Sequence, residues 1–212
     1  MLKAERYVVM NFENAIRGAR NPMNSWGKMD SYYVTDEKTG EREFVLGEND
    51  LGLAVKLARA GSDHRKFLRQ IFVSVDITAP LYWWKEFDTY KVGTVANSCS
   101  TMHKIHSKPF ERADFSCDRL DEKSLEVLDY IVAFLEEKRQ EFISDTSDRQ
   151  PWHDMIQLLP SSYNQMRTVT LNYENLISMY YARRNHKLAE WHTLCDWIMS
   201  LPYADKLIAV KD

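Results

Sequence analysis

The sequence predicts a mixed α/β fold, because it combines one clearly alternating strand with two long helical patterns. In segment 71–78, apolar residues at positions 71, 73, 75 and 77 alternate with polar residues, as on a strand with one buried face. Segment 123–142 repeats leucine, isoleucine and valine at helical spacing, and a last helix is predicted over 173–201 with a break near Asn185. No repeat, low-complexity tract or linker divides the chain, so we expect a single domain over residues 1–212.

The N-terminal part predicts a strand, a short helix, a hairpin and a further helix. An apolar stretch at 7–10 precedes a helical segment at 13–20, which ends before the Asn-Pro pair at 21–22. A hairpin is expected over 31–46 with its turn at 39–40. Asp50 is a plausible N-cap for a helix that runs to about residue 59 and is closed by Gly61.

The segments after the strand predict further helices separated by irregular stretches. Thr78 and Pro80 suit an N-cap and an early helix residue, which predicts a helix over 81–90 whose aromatic pair 83–84 lies in the core or at a subunit interface. Residues 92–101 are small and polar and indicate a loop able to lie close to a ligand. We expect 103–119 to be irregular, the charged run 136–139 to face solvent, and a helix over 151–158 to start near Pro151.

Composition argues against several classes of protein. The net charge is −3, so the protein has no overall positive charge that would attract a nucleic acid polymer or an anionic membrane. The three cysteines are widely spaced, which suits a reducing compartment rather than a disulfide scaffold. The start lacks the apolar core of a secretion signal and no apolar run approaches the ~18 residues of a membrane span, so we expect a cytoplasmic protein. The histidines show no metal-ligand spacing, and no metal site is expected.

Several short segments, in their order along the chain, carry a resemblance to a known family. They are 15–20, 50–57 with Gly61 and His64 beyond, the strand 71–78 with the Ala-Pro helix 79–87, Leu159-Pro160, and a C-terminal series of Asn172, Asn175-Leu176, Arg183 and Ala189-Glu190-Trp191. Over roughly residues 15–200, this order and spacing resemble the flavin-dependent thymidylate synthases. The resemblance implies an α+β variant of the α/β class, with a central, mostly antiparallel sheet flanked by helices.

The family's signature motif, Arg-His-Arg-x-x-Ser-x-Asn-Glu-x-Ser-x-Arg, aligns with residues 89–101, where most of its charged residues are replaced. Thr89 and Tyr90 stand where the family has the arginine and histidine that hold the flavin, while Lys91 keeps a positive charge. Cys99 replaces a serine whose neighbourhood binds nucleotide, and Thr101 replaces a phosphate-binding arginine.

Other family positions are also altered. The second phosphate-binding arginine falls on Ile156, a flavin-contacting asparagine becomes Ser178, and the Arg-Gln pair of the Ala-Pro helix becomes Lys85-Glu86. A dianionic phosphate is normally held by forked arginines, so we expect weaker binding of dUMP, by ~1.5–3 kcal/mol for each charged hydrogen bond lost. The basic residues that could compensate are Lys85, Lys91, His103 and Lys104.

The resemblance implies an enzyme that carries out FAD-mediated reductive methylation, or a related C5 modification, of a uracil deoxynucleotide (dUMP or an atypical analogue). No protein nucleophile is obligatory in this chemistry, so the protein would contribute binding, orientation and electrostatics. NADPH and a folate one-carbon donor are implied if the family chemistry is retained, as is a homotetramer with sites between subunits. The alternatives are an inactive homologue that serves as a nucleotide-binding or protein-interaction module, and an unrelated α/β protein.

The resemblance also assigns site residues. The cofactor-binding candidates are Tyr90, Lys91, Asn172, Ser178, His186 and Lys187. The substrate-binding candidates are Lys85, Glu86, Asn97, Ser98, Cys99, Ser100 and Arg183. Arg183 is also the catalytic candidate, because the matching arginine contacts the base and would stabilise negative charge on its carbonyl.

Each assignment has a plainer alternative. Asn172 and Arg183 are 11 positions apart, almost on one line of a helix and ~16 Å apart, but they could be an N-cap and a surface or interface arginine. Cys99 could be a thiolate nucleophile or a small buried residue, and we favour proximity to the binding site without nucleophilicity. The alternative for His186 and Lys187 is a solvated helix end.

Overall fold

A computed structural model describes residues 2–210, and within them six strands form two sheets. The strands are β1 (Lys3–Met10), β2 (Tyr32–Thr35), β3 (Arg42–Val45), β4 (Phe72–Pro80), β5 (Val95–Ser98) and β6 (Asn164–Asn172). The larger sheet has the order β1-β4-β6-β5, and β2 pairs antiparallel with β3, with Tyr32 opposite Val45.

Two side-chain hydrogen bonds give the relative direction of β4 and β6. Thr168 Oγ1 donates to Asp76 Oδ1 at 2.5 Å, and Thr170 Oγ1 donates to Ser74 Oγ at 3.3 Å. The residue number on β4 falls as the number on β6 rises, so the two strands are antiparallel. The predicted α/β fold with an antiparallel sheet flanked by helices is confirmed.

Eight α-helices occur in the described part of the chain. They are α1 (Phe12–Ala19), α2 (Glu48–Arg59), α3 (Leu81–Phe87), α4 (Glu122–Ser144), α5 (Gln150–Leu158), α6 (Tyr173–Arg183), α7 (Ala189–Met199) and α8 (Ala204–Leu207). Short 3-10 helices span Asn21–Met23, Trp26–Lys28, Lys66–Gln70 and Arg112–Asp114. Between residues 2 and 210, no helix combines the length and the apolar character needed to cross a membrane.

The chain divides into two compact units whose segments alternate along the sequence. Within the described residues, unit 1 comprises 2–5, 76–90 and 96–168, and unit 2 comprises 6–75, 91–95 and 169–210. Each strand of the larger sheet contributes residues to both units.

The core of unit 1 lies where α4 packs against α5. Leu128, Leu135 and Phe142 of α4 share a buried cluster with Met155 of α5, as the apolar stripe of 123–142 predicted. The aromatic pair 83–84 is also buried, which confirms the prediction of a core position.

The prediction that Arg139 of α4 faces solvent is wrong, because this residue is only 7% exposed. Its Nε and Nη2 donate to the two carboxylate oxygens of Glu136, each at 2.7 Å. The hydrogen bonds from Arg139 lower the pKa of Glu136 to about 2. A bidentate partner one helical turn away therefore lets the guanidinium be buried.

Residues of α1, α6 and α7 contribute to the core of unit 2. Tyr173 and Leu176 of α6 and Trp191 of α7 are fully buried, and the ring of Phe12 packs edge-on against Tyr173 with centroids 5.5 Å apart. The Tyr173 hydroxyl donates to the Pro202 carbonyl at 2.8 Å, so its polar group is satisfied, and burial raises the pKa of Tyr173.

Most boundaries in unit 2 follow the sequence patterns. The hairpin turns at Gly40, which has a φ of +73°, and Gly61 ends the α2 segment with a φ of +100°. The predicted break near Asn185 is confirmed, since α6 ends at Arg183 and α7 begins at Ala189.

Asp50 is not the N-cap of α2, which was the prediction; Gly47 occupies that position. The side chain of Asp50 is completely buried and pairs with Arg20, whose Nε donates to Asp50 Oδ1 at 2.6 Å. Asp30 satisfies the start of the helix instead, because its carboxylate accepts from the amides of Asn49 and Asp50 at 2.8 and 3.0 Å.

The segments around α3 and β6 also differ from the predictions. Thr78 lies within β4 rather than capping a helix, and Pro80 is the N-cap of α3, which ends at Phe87 rather than near residue 90. Residues 95–98, expected to be a loop, form β5, and β6 was not predicted at all.

Candidate functional site

The predicted substrate residues, apart from Arg183, lie in unit 1 on α3 and on β5 with its continuation. Lys85 is exposed and Glu86 half-buried on α3, and Tyr90 follows the end of that helix. Asn97 and Ser98 end β5, and both are exposed.

Cys99 follows β5 directly and its side chain is exposed, so the alternative of a small buried residue is wrong. Its amide donates to the Met166 carbonyl at 2.9 Å, and its carbonyl accepts from Gln165 Nε2 at 2.7 Å. The hydroxyl of Ser100 accepts from the His103 amide at 2.9 Å. The backbone after β5 is therefore held in place while the Cys99 thiol stays accessible.

Thr101 and Ile156, the positions where the resemblance implies phosphate-binding arginines, carry no charge. Thr101 is half-buried, and Ile156 on α5 packs against the apolar cluster of unit 1. Any cation for a phosphate must therefore come from other residues.

The predicted cofactor residues, apart from Tyr90, lie in unit 2, mainly along α6. Asn172 is the N-cap of this helix: its Oδ1 accepts from the Asn175 amide at 3.0 Å, and Asn175 Oδ1 accepts from the Asn172 amide at 3.2 Å. This reciprocal pair is a capping box, so the plainer alternative for Asn172 is confirmed. Its side-chain oxygen is occupied within the helix.

The segment 89–101, which aligns with the family's signature motif and is called the signature segment here, contacts this capping box at residues 92 and 93. Asn175 Nδ2 donates to the Val92 carbonyl at 2.7 Å. Gly93 has a φ of +74°, and a β-carbon added there would lie 3.0 Å from Asn172 Nδ2. Both the backbone conformation and the close approach therefore favour glycine at this position. The exposed Lys91 precedes this contact.

The other end of α6 gathers basic side chains. Arg183 is the last residue of the helix, and its guanidinium carbon lies 4.6 Å from the centre of the Trp191 ring. The His186 ring also meets Trp191 edge-on, and its Nδ1 accepts from the Leu188 amide at 3.2 Å, so Nε2 carries the proton of the neutral ring. Lys187 is exposed beside them.

Ser178 lies between these two ends, exposed on α6, and its hydroxyl donates back to the Glu174 carbonyl at 3.2 Å. The Glu174 carboxylate is paired with Arg65 at 2.8 Å, which neutralises the acidic group in this part of the helix. The Thr94 hydroxyl of the signature segment is buried and has no hydrogen-bond partner within residues 2–210. Unit 2 thus offers the exposed ammonium groups of Lys91 and Lys187, which fit an anionic cofactor such as FAD.

Two cavities in the described part of the chain are formed by residues other than the site candidates. A cavity of about 420 Å³ in unit 1 is lined by residues such as Lys3, Lys108 and Cys117. Another of about 1120 Å³ in unit 2 is lined by residues such as Tyr33 and Arg42. None of the predicted site residues lines either cavity. The described residues contain no group of three or more His, Cys, Asp or Glu side chains arranged to hold a metal ion.

Gln165 and Arg167 were missed by the sequence analysis, although both lie beside the predicted substrate segment. Gln165 is 7% exposed and reaches the Cys99 carbonyl, and the Arg167 guanidinium carbon lies 4.2 Å from the centre of the Trp84 ring. No clear sequence signal marks them, because these two polar residues share one face of β6 with Val169 and Leu171 and so interrupt its apolar alternation.

No protein-family model and no curated protein sequence matches the chain. Solved structures do. Thymidylate synthase X (ThyX) from Helicobacter pylori, in a structure with FAD and dUMP, is 17% identical with a TM-score of 0.66, over 98% of this chain and 96% of that one. A second structure of the flavin-dependent ThyX of Helicobacter pylori, complexed with FAD and dUMP, gives 16% identity and the same TM-score over 98% and 97% of the two chains. The chain therefore has the fold of these flavin-dependent thymidylate synthases.

Proposed function

We propose that the protein is an enzyme of the flavin-dependent thymidylate synthase type, which binds FAD and a uracil deoxynucleotide and modifies C5 of the base. The observation that carries the proposal is the shared fold over 98% of the chain with structures that contain FAD and dUMP. The ordered sequence segments between residues 15 and 200 support it independently of the coordinates.

In this proposal unit 2 holds the cofactor. Lys91 and Lys187 offer exposed ammonium groups to the FAD pyrophosphate. The exposed Ser178 hydroxyl donates its proton to the Glu174 carbonyl, so it offers the cofactor a hydrogen-bond acceptor. His186 is a further cofactor candidate, and its Nδ1 accepts from the Leu188 amide. When bound and reduced, FAD supplies a hydride. The remaining cofactor candidates are Tyr90, which lies in unit 1, and Asn172, whose side-chain oxygen also caps α6.

Arg183 is the proposed electrostatic catalyst. Its guanidinium packs on the Trp191 ring, and stacking of this kind fixes the plane of the charged group. A fixed guanidinium is suited to stabilise negative charge on a pyrimidine carbonyl, because it need not reorganise as that charge develops.

The nucleotide would lie against Asn97, Ser98, Cys99 and Ser100, with Lys85 of α3 as the proposed cation and Glu86 of α3 as a further polar contact. The exposure of Asn97, Ser98 and the Cys99 thiol supports this assignment. The uncharged positions 101 and 156 predict a lower affinity for dUMP than two arginines would give, so an analogue with further polar groups is a candidate substrate.

We also propose an oligomeric state, co-substrates and a cellular location for the protein. None of the predicted site residues lines either cavity, as expected if a homotetramer completes the site with residues of other copies. NADPH as reductant, a folate one-carbon donor and a cytoplasmic location belong to the same proposal.

A second candidate function is a nucleotide-binding or protein-interaction module without catalysis. It is favoured by the capping box, which occupies the side-chain oxygen of Asn172, and by the uncharged residues Thr101 and Ile156.

The two candidates are separated by isotope transfer. The protein is loaded with FAD, reduced in D₂O under anaerobic conditions, and mixed with dUMP and a folate one-carbon donor; the nucleotide is then analysed by mass spectrometry. An enzyme incorporates deuterium into the product. Arg183→Met should lose on the order of 100-fold in rate, while Arg112→Met, which breaks an exposed ion pair with Asp129, should not. Bound nucleotide without isotope transfer would favour the module.

A further inference from the structure

We infer that Gln165 and Arg167 are positioning residues that fix the Cys99 end of the proposed nucleotide-binding segment 97–100. The inference rests on the proposed function, because it assumes that this segment contacts the nucleotide. Neither residue belongs to the sites assigned from sequence, and both lie in unit 1 together with the segment.

Gln165 connects three parts of unit 1 through its side chain and backbone. Its Nε2 donates to the Cys99 carbonyl at 2.7 Å, and its Oε1 accepts from Arg167 Nε at 3.0 Å. Its backbone carbonyl accepts from the buried Trp84 Nε1 at 2.9 Å. The carboxamide of Gln165 thus has a partner on each side, which fixes its orientation and directs its donor at Cys99.

Arg167 holds the carboxamide from the other side. Its guanidinium packs 4.2 Å from the centre of the Trp84 ring, and its Nη1 donates to Asp88 Oδ1 at 2.8 Å. The Arg167 side chain is 16% exposed, so these contacts are partly shielded from water. A planar guanidinium held by a ring, a carboxylate and an amide has one preferred position, which in turn fixes Gln165.

The contacts of Gln165 and Arg167 support the exposed segment at the end of β5, so their role goes beyond core packing. All four residues of β5 are exposed, so the segment gains little from side-chain burial. At its end, the backbone of Cys99 is held by the Gln165 side chain and by the Met166 carbonyl, which lies between Gln165 and Arg167 in β6. A ligand that binds residues 97–100 needs this backbone in one position, and preordering it lowers the entropic cost of binding.

The test combines hydrogen exchange with ligand affinity. Gln165→Met keeps the volume but removes the bond to Cys99, and Gln165→Glu keeps an acceptor for Arg167 while also removing that donor. Both should accelerate exchange of the Cys99 amide about tenfold and raise the Kd for dUMP by a similar factor, as expected for one lost hydrogen bond. Arg167→Met should have the same direction with a smaller effect, and the Kd for FAD should stay unchanged in all three.

Matched controls lie on or beside α4 of the same unit. Gln140→Met removes a glutamine bonded to Glu136, and Arg112→Met removes an arginine paired with Asp129; neither should change exchange at Cys99 or dUMP affinity. Gln165→Glu keeps the test open if Gln165→Met does not fold.

Each other outcome overturns the inference. Faster exchange with an unchanged Kd for dUMP would mean that the network only stabilises the fold. A raised Kd with unchanged exchange would mean that Arg167 or Gln165 contacts the nucleotide directly. Absence of dUMP binding by the unaltered protein would refute the proposed function and the role assigned here, whereas binding that the variants leave unchanged would refute the inference alone.

Discussion

Replacing Asp50 with alanine leaves the guanidinium of Arg20 buried without its partner carboxylate. Arg20 Nε donates to Asp50 Oδ1 at 2.6 Å, and Nη2 lies 2.6 Å from the same oxygen without hydrogen-bond geometry. Asp50 Oδ2 accepts from the Asp30 amide at 3.1 Å, the Ser31 amide at 3.0 Å and the Ser31 hydroxyl at 2.6 Å. The side chains of Arg20 and Asp50 are 4% and 0% exposed, so water cannot replace these contacts without rearrangement.

The expected cost of Asp50→Ala is about 3–5 kcal/mol, the range measured when one partner of a buried ion pair is removed. That is a large share of the roughly 5–15 kcal/mol that stabilises a domain. The assay is urea denaturation at neutral pH followed by circular dichroism. The double variant Arg20→Met/Asp50→Leu should recover most of the loss, because it removes both charges together.

A matched control is Glu174→Ala, which breaks the more exposed pair with Arg65 and should cost less. A loss below about 1 kcal/mol for Asp50→Ala would mean that the Arg20–Asp50 pair contributes no more than a solvent-exposed ion pair, contrary to its burial.

Acid should weaken the same contact. Burial alone raises the pKa of Asp50, but hydrogen bonds from Ser31, Arg20 and the backbone outweigh it, so the net pKa lies below the ordinary 3.8. A carboxyl with a lowered folded pKa stabilises the protein above its unfolded pKa, and that stability is lost as pH falls through the folded value. The free energy of unfolding of Asp50→Asn should therefore depend less on pH below about 4 than that of the unaltered protein.

Three further predictions concern the capping box and α4. Gly93→Ala should destabilise the protein by about 1–2 kcal/mol, because Gly93 has a positive φ and an added β-carbon would press on Asn172. Gly52→Ala should instead stabilise the protein by about 0.5–1 kcal/mol, because Gly52 lies within α2 and an added β-carbon meets no other atom there. Thermal melts distinguish the two outcomes. Glu136→Gln should lower the free energy of unfolding by about 1–2 kcal/mol at neutral pH. It should also abolish the part of the stability that the unaltered protein loses as pH falls from 4.5 to about 2. Denaturation curves at a series of pH values check this, and the same pH dependence of unfolding free energy in both proteins would contradict it. Asn172→Ala should cost about 1 kcal/mol while Asn172→Asp keeps the cap; a loss of FAD affinity in Asn172→Asp at unchanged stability would show that the amide also serves the cofactor.

The sequence predicted those elements whose burial follows one simple period. β4 alternates apolar and polar residues along its length, and α4 carries a continuous apolar stripe, so both were found. β6 was missed because the face that holds Val169 and Leu171 also holds Gln165 and Arg167, which hides the alternation. β5 was missed because all its residues are exposed and no apolar period marks it.

Long-range pairing explains the other errors. An aspartate near the start of a helix has the sequence character of a cap, and the partner that buries Asp50 is Arg20, 30 residues away. Arg139 was placed on the solvent side because a run of charges normally faces water, but Glu136 satisfies it within one turn. The candidate site residues followed from the family resemblance, while the contacts that hold them, such as Gln165 on Cys99, required coordinates.

Binding of FAD and a uracil nucleotide can be checked in the visible absorption spectrum of the protein, recorded after incubation with FAD and removal of free cofactor. We expect flavin absorption bands that elute with the protein and change shape when dUMP is added. A colourless protein after the same treatment, or a flavin spectrum that no uracil nucleotide alters, would contradict this expectation.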